Sequence, residues 1–254
     1  MWLITDFDGT LAGFSPDPHD VPIEQDAIDA LVTIASKTKV NVAILTGRSL
    51  DSVDRLGLPT ENFILAGSHG AELRPSKFLP DFSLNSDPTM AAIIGDEVKA
   101  RRASLLDVLQ SVAAKYDGAW IEDKPFHLVF HYRKVADDQE AALLKDVLAV
   151  DPHGTHVVPG NKVVEFAFTT ITKGDWVAAA RKVIPGPVTY LGDDTPDETV
   201  FAILGDGDRG IKVGDGDTKA IMRLADIPAV TEFFVNLATY LTTTPGADEA
   251  TSWT

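Results

Sequence analysis

The chain has 254 residues, 44% of them hydrophobic, no cysteine and a formal net charge of -16. That is enough apolar material for one large core or two smaller ones. The missing cysteine excludes disulfides and thiolate metal sites and suits a reducing cytoplasm, while the excess acid disfavours nucleic acid and anionic lipid as partners. No apolar run reaches the ~18 residues of a membrane span, and the first strand starts at Met1, so neither a membrane segment nor a signal peptide is expected and a cytoplasmic location is.

Residues 1–4 form a short apolar run, and Gly9 breaks it: a buried strand leading into Thr5-Asp6-Phe7-Asp8-Gly9-Thr10-Leu11. Asp6 and Asp8 therefore fall at the carboxyl end of a strand, where open α/β sheets place their ligands. Positions i and i+2 of a strand point the same way. Two adjacent carboxylates repel, and one loses its ionisation unless a cation lies between them. Oxygen-only ligands suit Mg²⁺, with a carboxylate nucleophile beside it. Asp-x-Asp-Gly is also common in surface turns, so the apolar run before it carries the weight. A Pro- and Asp-rich exposed loop follows over residues 13–22, then an amphipathic helix over 23–37. Val40-Asn41-Val42-Ala43-Ile44-Leu45 is a second strand and runs into Thr46-Gly47-Arg48. A short helix from Leu50 and a third strand over 63–66 complete an alternation typical of a parallel, doubly wound sheet.

The pattern then changes. Pro75, Pro80 and Pro88 mark a linker. A long helix is expected over 91–116, a hairpin over 119–123 and 126–132 around Lys124-Pro125, a helix over 137–150, and a second hairpin over 156–158 and 162–168 around Pro159-Gly160. This is an α+β unit with an antiparallel sheet. The parallel pattern resumes where Thr172-Lys173-Gly174-Asp175 opens a helix to 183, and a strand over 188–191 leads into Gly192-Asp193-Asp194. A helix over 195–204, a strand over 210–213 and a helix over 231–241 follow, and the polar stretch 242–254 reads as a disordered tail. The expected organisation is a core of residues 1–86 and 170–241 with an insert of 87–169. There is no internal repeat beyond the two hairpins.

Four signals appear in a set order: Asp6-Phe7-Asp8-Gly9-Thr10-Leu11, Thr46 ending a strand, Lys173 opening a helix, and Asp193-Asp194 after a strand. Singly, each has an ordinary explanation as a helix cap, a solvated lysine or a turn former. Together they resemble the motifs of haloacid-dehalogenase (HAD) superfamily phosphatases. The resemblance implies an α/β fold, with a doubly wound parallel core and an inserted α+β cap of type IIB. It also implies that Asp6 is the nucleophile that forms an aspartyl-phosphate and that Asp8 is the acid and later the base. Mg²⁺ would be held by the Asp6 carboxylate, the Asp8 backbone carbonyl and Asp193. The Thr46 hydroxyl and Gly47 amide would bind a phosphoryl oxygen, and Lys173 would neutralise charge. Asp194 and Asp197 would orient water or Lys173. Arg48 is open between capping the next helix and facing the phosphoryl group.

Further segments are similar to the trehalose-6-phosphate phosphatase family: Gly67-Ser68-His69-Gly70-Ala71-Glu72, Glu122-Asp123-Lys124 with His131-Tyr132-Arg133, Gly160-Asn161-Lys162-Val163-Val164-Glu165, and Gly192-Asp193-Asp194-Thr195-Pro196-Asp197-Glu198. Pro196 stands where that family has threonine, and the hairpin lysine is displaced by one position. The resemblance implies a Mg²⁺-dependent trehalose-phosphatase acting on a small sugar phosphate. His69 and Gly70 would face the pocket, Glu122, Asn161, Lys162 and Glu165 would bind sugar hydroxyls, and Lys124 and Arg133 would lie near sugar or phosphate. His131 reads as a satisfied sheet histidine. The alternatives are a phosphatase of sucrose-phosphate, a glycosyl-phosphoglycerate or a hexose phosphate with the same cap, or a non-catalytic sugar-phosphate sensor. No nucleic-acid or membrane partner is expected, and the chain is expected to act as a monomer.

Overall fold

The computed structural model describes residues 1–15, 17, 19–91, 96–152, 154–160 and 162–249. The chain divides into two compact units, Met1–Asp87 with Ile171–Thr254, and Pro88–Thr170. In chain order the larger unit begins with β1 (Trp2–Thr5), α1 (Gln25–Lys37), β2 (Asn41–Leu45), α2 (Leu50–Asp54), β3 (Ile64–Gly67) and β4 (Glu72–Arg74). The inserted unit contains α3 (Pro88–Ala91), α4 (Asp96–Ala113), β5 (Trp120–Lys124), β6 (His127–His131), α5 (Glu140–Leu148), β7 (His156–Gly160) and β8 (Val163–Ala167). The larger unit resumes with α6 (Lys173–Val183), β9 (Val188–Gly192), α7 (Thr195–Phe201), β10 (Arg209–Val213), β11 (Met222–Leu224) and α8 (Ile227–Thr243).

The larger unit's sheet has the order β11-β10-β9-β1-β2-β3-β4. Every pairing is parallel except β3 with β4. β1 is central, and all four of its residues are buried, as expected of a parallel strand covered on both faces. The chain moves outward from β1 through β2 and β3, then returns to its other side at β9. The sheet therefore switches direction at β1, and its carboxyl end is where a ligand site forms. One face of the sheet is covered by α1 and α8, whose Ile28, Leu31, Ile34, Val230, Phe234 and Leu241 pack with Leu3, Val42, Ile44 and Leu191. Elsewhere in the unit, Trp2 packs edge-on against Trp176 (ring centroids 6.3 Å apart) and Phe82 (5.6 Å).

Phe82 corrects the linker reading of residues 75–87. Phe82 and Leu84 are buried, and Asp87 pairs with Lys182 of α6 at 2.9 Å. The prolines there interrupt regular structure without preventing packing. The expected tail is also corrected. α8 begins earlier than its periodicity indicates, because Asp226 caps it by accepting from the Ala229 amide (2.9 Å) and Pro228 suits its first turn. It then continues through Thr242 and Thr243, and Ala247 is buried against the core. Residues 250–254 lie outside the described residues. The long helix expected over 91–116 corresponds to α4, which ends at Ala113; residues 92–95 of that span are not among those described.

The inserted unit is a four-stranded antiparallel sheet, β5-β6-β8-β7. Leu128 and Phe130 of β6 and Val164 and Phe166 of β8 pack against Leu105, Leu109 and Val112 of α4 and Leu143 and Val147 of α5. Side chains alternate across a strand, so the intervening residues share the opposite face. The register pairs Trp120 with His131 and His131 with Val163, and Glu122 with Val129 and Val129 with Glu165. Among the described residues, no helix is long and apolar enough to cross a membrane.

Candidate active site

Asp6 follows β1, Thr46 follows β2 and Asp193 follows β9. These three strands are neighbours, so residues far apart in sequence meet at one sheet edge. The Asp6 amide continues the ladder by donating to the Leu191 carbonyl (2.9 Å), which fixes its direction. Gly9 has φ +77°, and a Cβ there would lie 2.0 Å from Asp193 Oδ2. Glycine is therefore required twice over, by the left-handed backbone and by the approach of a carboxylate.

Lys173, 2% exposed, opens α6 behind a Thr172/Asp175 capping box. Its Nζ lies 2.7 Å from Asp6 Oδ1 and 2.8 Å from Asp197 Oδ1. Burial works against the ammonium, but the Asp6 and Asp197 carboxylates outweigh it and hold the lysine above its usual range. Asp197 is fully buried, and both its oxygens are engaged. Oδ1 also accepts from the Tyr190 hydroxyl (2.5 Å), and Oδ2 accepts from the Asp193 and Asp194 amides (2.9 and 3.0 Å). Asp194 and Asp197 together form the capping box of α7. Asp197 thus ties the Asp193–Asp194 turn to Lys173.

Carboxylate oxygens of Asp6, Asp193 and Asp197 lie within 4.8 Å of one another. Asp197 is saturated by its four donors, which leaves Asp6 and Asp193 as the carboxylates with capacity for a metal. Asp193 Oδ1 is buried and has no hydrogen-bond partner among the described residues. Burial, then the charges of Asp197 and Asp194, push the Asp193 carboxyl up to about 6. Burial pushes Asp6 up to about 7, against the opposing pull of Lys173. An orphaned buried oxygen and two carboxyls driven toward neutrality fit a hard divalent cation. The Asp8 carboxylate faces elsewhere. Arg48 grips it in a fork, Nε to Oδ2 at 2.7 Å and the terminal nitrogen to Oδ1 at 2.6 Å. Arg48 is thereby assigned to Asp8 rather than to a helix cap.

Thr46 is buried, and its Oγ1 accepts from the Arg48 amide (3.1 Å). Its carbonyl accepts from the His69 amide (2.9 Å), and the Ser68 amide donates to the Arg48 carbonyl (2.7 Å). Ser68 and His69 both hold positive φ, 49° and 59°, a strained choice for residues with a Cβ. Glu72 stabilises the turn by accepting from the Ser68 hydroxyl (2.6 Å). His69 is thus brought against Gly47, where a Cβ would come within 2.8 Å of the imidazole. A Cβ on Gly70 would meet Trp176 at 2.7 Å, so Gly70 serves packing.

In the inserted unit, Glu122, Lys124 and Glu165 occupy the sheet face opposite α4 and α5. Glu122 Oε1 lies 3.3 Å from Lys124 Nζ, and its Oε2 lies 3.1 Å from His131 Nε2. Glu165 Oε1 lies 3.6 Å from His127 Nδ1. Lys162 is placed differently. It has φ 62°, and its ammonium pairs with Glu140 at the start of α5 and with Asp137. Arg133 is exposed, and Asn161 lies outside the described residues.

The family model for trehalose-phosphatase matches residues 4–217, a span that includes every site residue above. The chain belongs to the trehalose-phosphatase family. It is 32% identical over 243 residues to the trehalose-6-phosphate phosphatase of Escherichia coli (strain K12), covering 93% of this chain and 86% of that relative. The solved Aspergillus fumigatus trehalose-6-phosphate phosphatase matches with a TM-score of 0.65 and 23% identity over 94% of this chain and 92% of that one. A subclass IIB sugar phosphatase of the HAD superfamily matches with a TM-score of 0.51 and 13% identity, covering 93% and 98%. At such identities the structural likeness is one of fold: a HAD-type doubly wound core with an inserted α+β unit. Mycobacterial relatives are longer, and the chain spans 61% of the trehalose-phosphate phosphatase of Mycobacterium marinum.

Within this family fold, two contributors to the site carry little mark in the sequence, and a third carries one that motif reading passes over. Tyr190 reads as one more apolar strand residue, yet its hydroxyl holds Asp197. Glu72 ends a motif without an evident partner. Lys212 does leave a signal, a lysine inside the apolar strand Gly210-Ile211-Lys212-Val213. It is 6% exposed, and its ammonium donates to the Asp193 main-chain carbonyl.

Proposed function

We propose that the protein hydrolyses trehalose 6-phosphate to trehalose and phosphate, with Mg²⁺, through an aspartyl-phosphate on Asp6. The observation that carries this reading is the Asp6–Lys173–Asp197 chain beside the unpartnered Asp193 oxygen, in a member of the trehalose-phosphatase family. One Asp6 oxygen is held by Lys173, which leaves the other to attack phosphorus. As the new O–P bond forms, the ester O–P bond breaks, and Asp8 gives its proton to the departing sugar oxygen. Asp8 then takes a proton from the water that attacks phosphorus, and the bond to Asp6 breaks, releasing phosphate and restoring the carboxylate. The Thr46 hydroxyl and Gly47 amide donate to phosphoryl oxygens, and Lys173 offsets the charge that develops there. The Asp6 carboxylate, the Asp8 main-chain carbonyl and the Asp193 carboxylate would hold Mg²⁺, which when bound neutralises phosphoryl charge and favours ionised Asp6. Glu122, Glu165 and Lys124 are the groups we assign to sugar hydroxyls. Lys162 and Arg133 are assigned more distant contacts.

The test is phosphate release from a panel of sugar phosphates, with Mg²⁺ and after exhaustive chelation. Trehalose 6-phosphate is expected to give the highest kcat/KM, and chelation to abolish turnover until metal is restored. A preference for sucrose-phosphate or glucose 6-phosphate would overturn the substrate, and full activity after chelation would overturn the metal.

A further inference from the structure

Trp120 is 49% exposed, whereas Trp2 and Trp176 are fully buried. Leaving so large an apolar ring in water forgoes the stabilisation that burial provides. The ring is also held in place. It stacks on the His131 imidazole with centroids 4.1 Å apart and planes 5° from parallel. His131 Nε2 in turn meets Glu122 Oε2 at 3.1 Å, and Glu122 Oε1 lies 3.3 Å from Lys124 Nζ. All four residues share the sheet face that the unit's own core leaves uncovered. His131 covers one face of the indole, and the residue remains half exposed. The surface thus joins a rigid aromatic plane to a carboxylate and an ammonium.

That pairing matches the two-sided chemistry of a pyranose. One face of the sugar ring presents C–H bonds, which pack on an aromatic plane. Its rim presents hydroxyls, which donate to carboxylates and accept from ammonium groups. We propose that Trp120, fixed by His131, is a stacking platform for a sugar ring of the substrate, beside the hydroxyl partners Glu122 and Lys124. The inference rests on the sugar-phosphate reading above and extends it to a residue that acts on affinity rather than on phosphoryl chemistry. A platform already fixed in place loses little freedom when the sugar binds.

The ordinary alternative is a cross-strand pair that only stabilises the sheet. Two measurements separate them. Trehalose itself, which carries no phosphate, is titrated into the full chain while tryptophan emission is followed; a saturable change is expected that Trp120→Phe abolishes. Kinetics are then compared for Trp120→Leu and wild type. The KM for trehalose 6-phosphate is expected to rise about tenfold with kcat nearly unchanged, and hydrolysis of p-nitrophenyl phosphate, which has no sugar, to stay at the wild-type level. Unchanged emission at saturating trehalose, or a wild-type KM in Trp120→Leu with only a lowered Tm, would overturn the platform. Should the wild type prefer another sugar phosphate, the substrate reading fails by itself. The platform is then decided by the same titration with that phosphate's parent sugar.

Discussion

Asp197→Asn keeps the size and shape of the side chain and removes one charge. The wild-type carboxylate accepts four hydrogen bonds, from Lys173 and Tyr190 on Oδ1 and from the Asp193 and Asp194 amides on Oδ2. An amide nitrogen cannot accept, so either orientation of Asn sets a donor against two donors. Removing one partner of a buried ion pair costs about 3–5 kcal/mol. Lys173 keeps Asp6 at 2.7 Å, so its charge is not left alone, and the lower end applies: about 3 kcal/mol. For a unit of roughly 170 residues this corresponds to a fall in Tm of about 6–12 °C, taking about 2–4 °C per kcal/mol. The assay is thermal unfolding followed by tryptophan emission, because Trp2 and Trp176 are buried in the same unit. Turnover should fall with it, since the Asp193 turn and Lys173 lose their common anchor. A Tm within about 2 °C of wild type would refute the reasoning, because a saturated buried carboxylate cannot be replaced at so small a cost.

Asp6→Asn should abolish turnover while leaving the circular dichroism spectrum unchanged; steady-state activity within about tenfold of wild type, or about 1.4 kcal/mol, would exclude Asp6 as nucleophile. Arg48→Met should lower kcat on trehalose 6-phosphate much more than on p-nitrophenyl phosphate. The forked pair orients Asp8, and a nitrophenolate leaves without needing its proton; equal losses on both substrates would argue against Asp8 as the acid. A last expectation concerns pH. The Asp193 carboxyl sits at about 6 when folded, above its unfolded value of about 4, so its contribution to stability is full below pH 4 and is lost as pH rises through 6. In chelator, Asp193→Asn should therefore raise Tm at pH 7.5 relative to wild type, with the gain shrinking as pH falls and vanishing below pH 4; a gain independent of pH would contradict this origin.

Sequence alone determined the parts that are local. Carboxylates and glycines directly after apolar runs marked Asp6, Asp8, Thr46 and Asp193 as strand-end residues, and the change from alternating βα segments to helix and hairpin marked the insert. Its limits were equally local. β4 and β11 are three residues each, too short for a periodic signal. The packing of Phe82 and Ala247 follows from hydrophobic surface supplied by distant elements, which no window around either residue contains. Lys162 illustrates the same point. Its neighbours in sequence suggest a sugar ligand, but its positive φ and the nearby start of α5 direct it to Glu140.

Tertiary structure alone decided who meets whom. Because β9 returns to the side of β1 opposite β2, Asp193 and Asp197 come to Asp6 from one flank and Thr46 from the other. That order also turns Arg48 onto Asp8 and sets the Tyr190 hydroxyl under Asp197. Periodicity reports which face of a segment is buried, and motifs report which residues stand at its end. Neither encodes strand order, and it is strand order that converts separate carboxylates and lysines into a charge-compensated site.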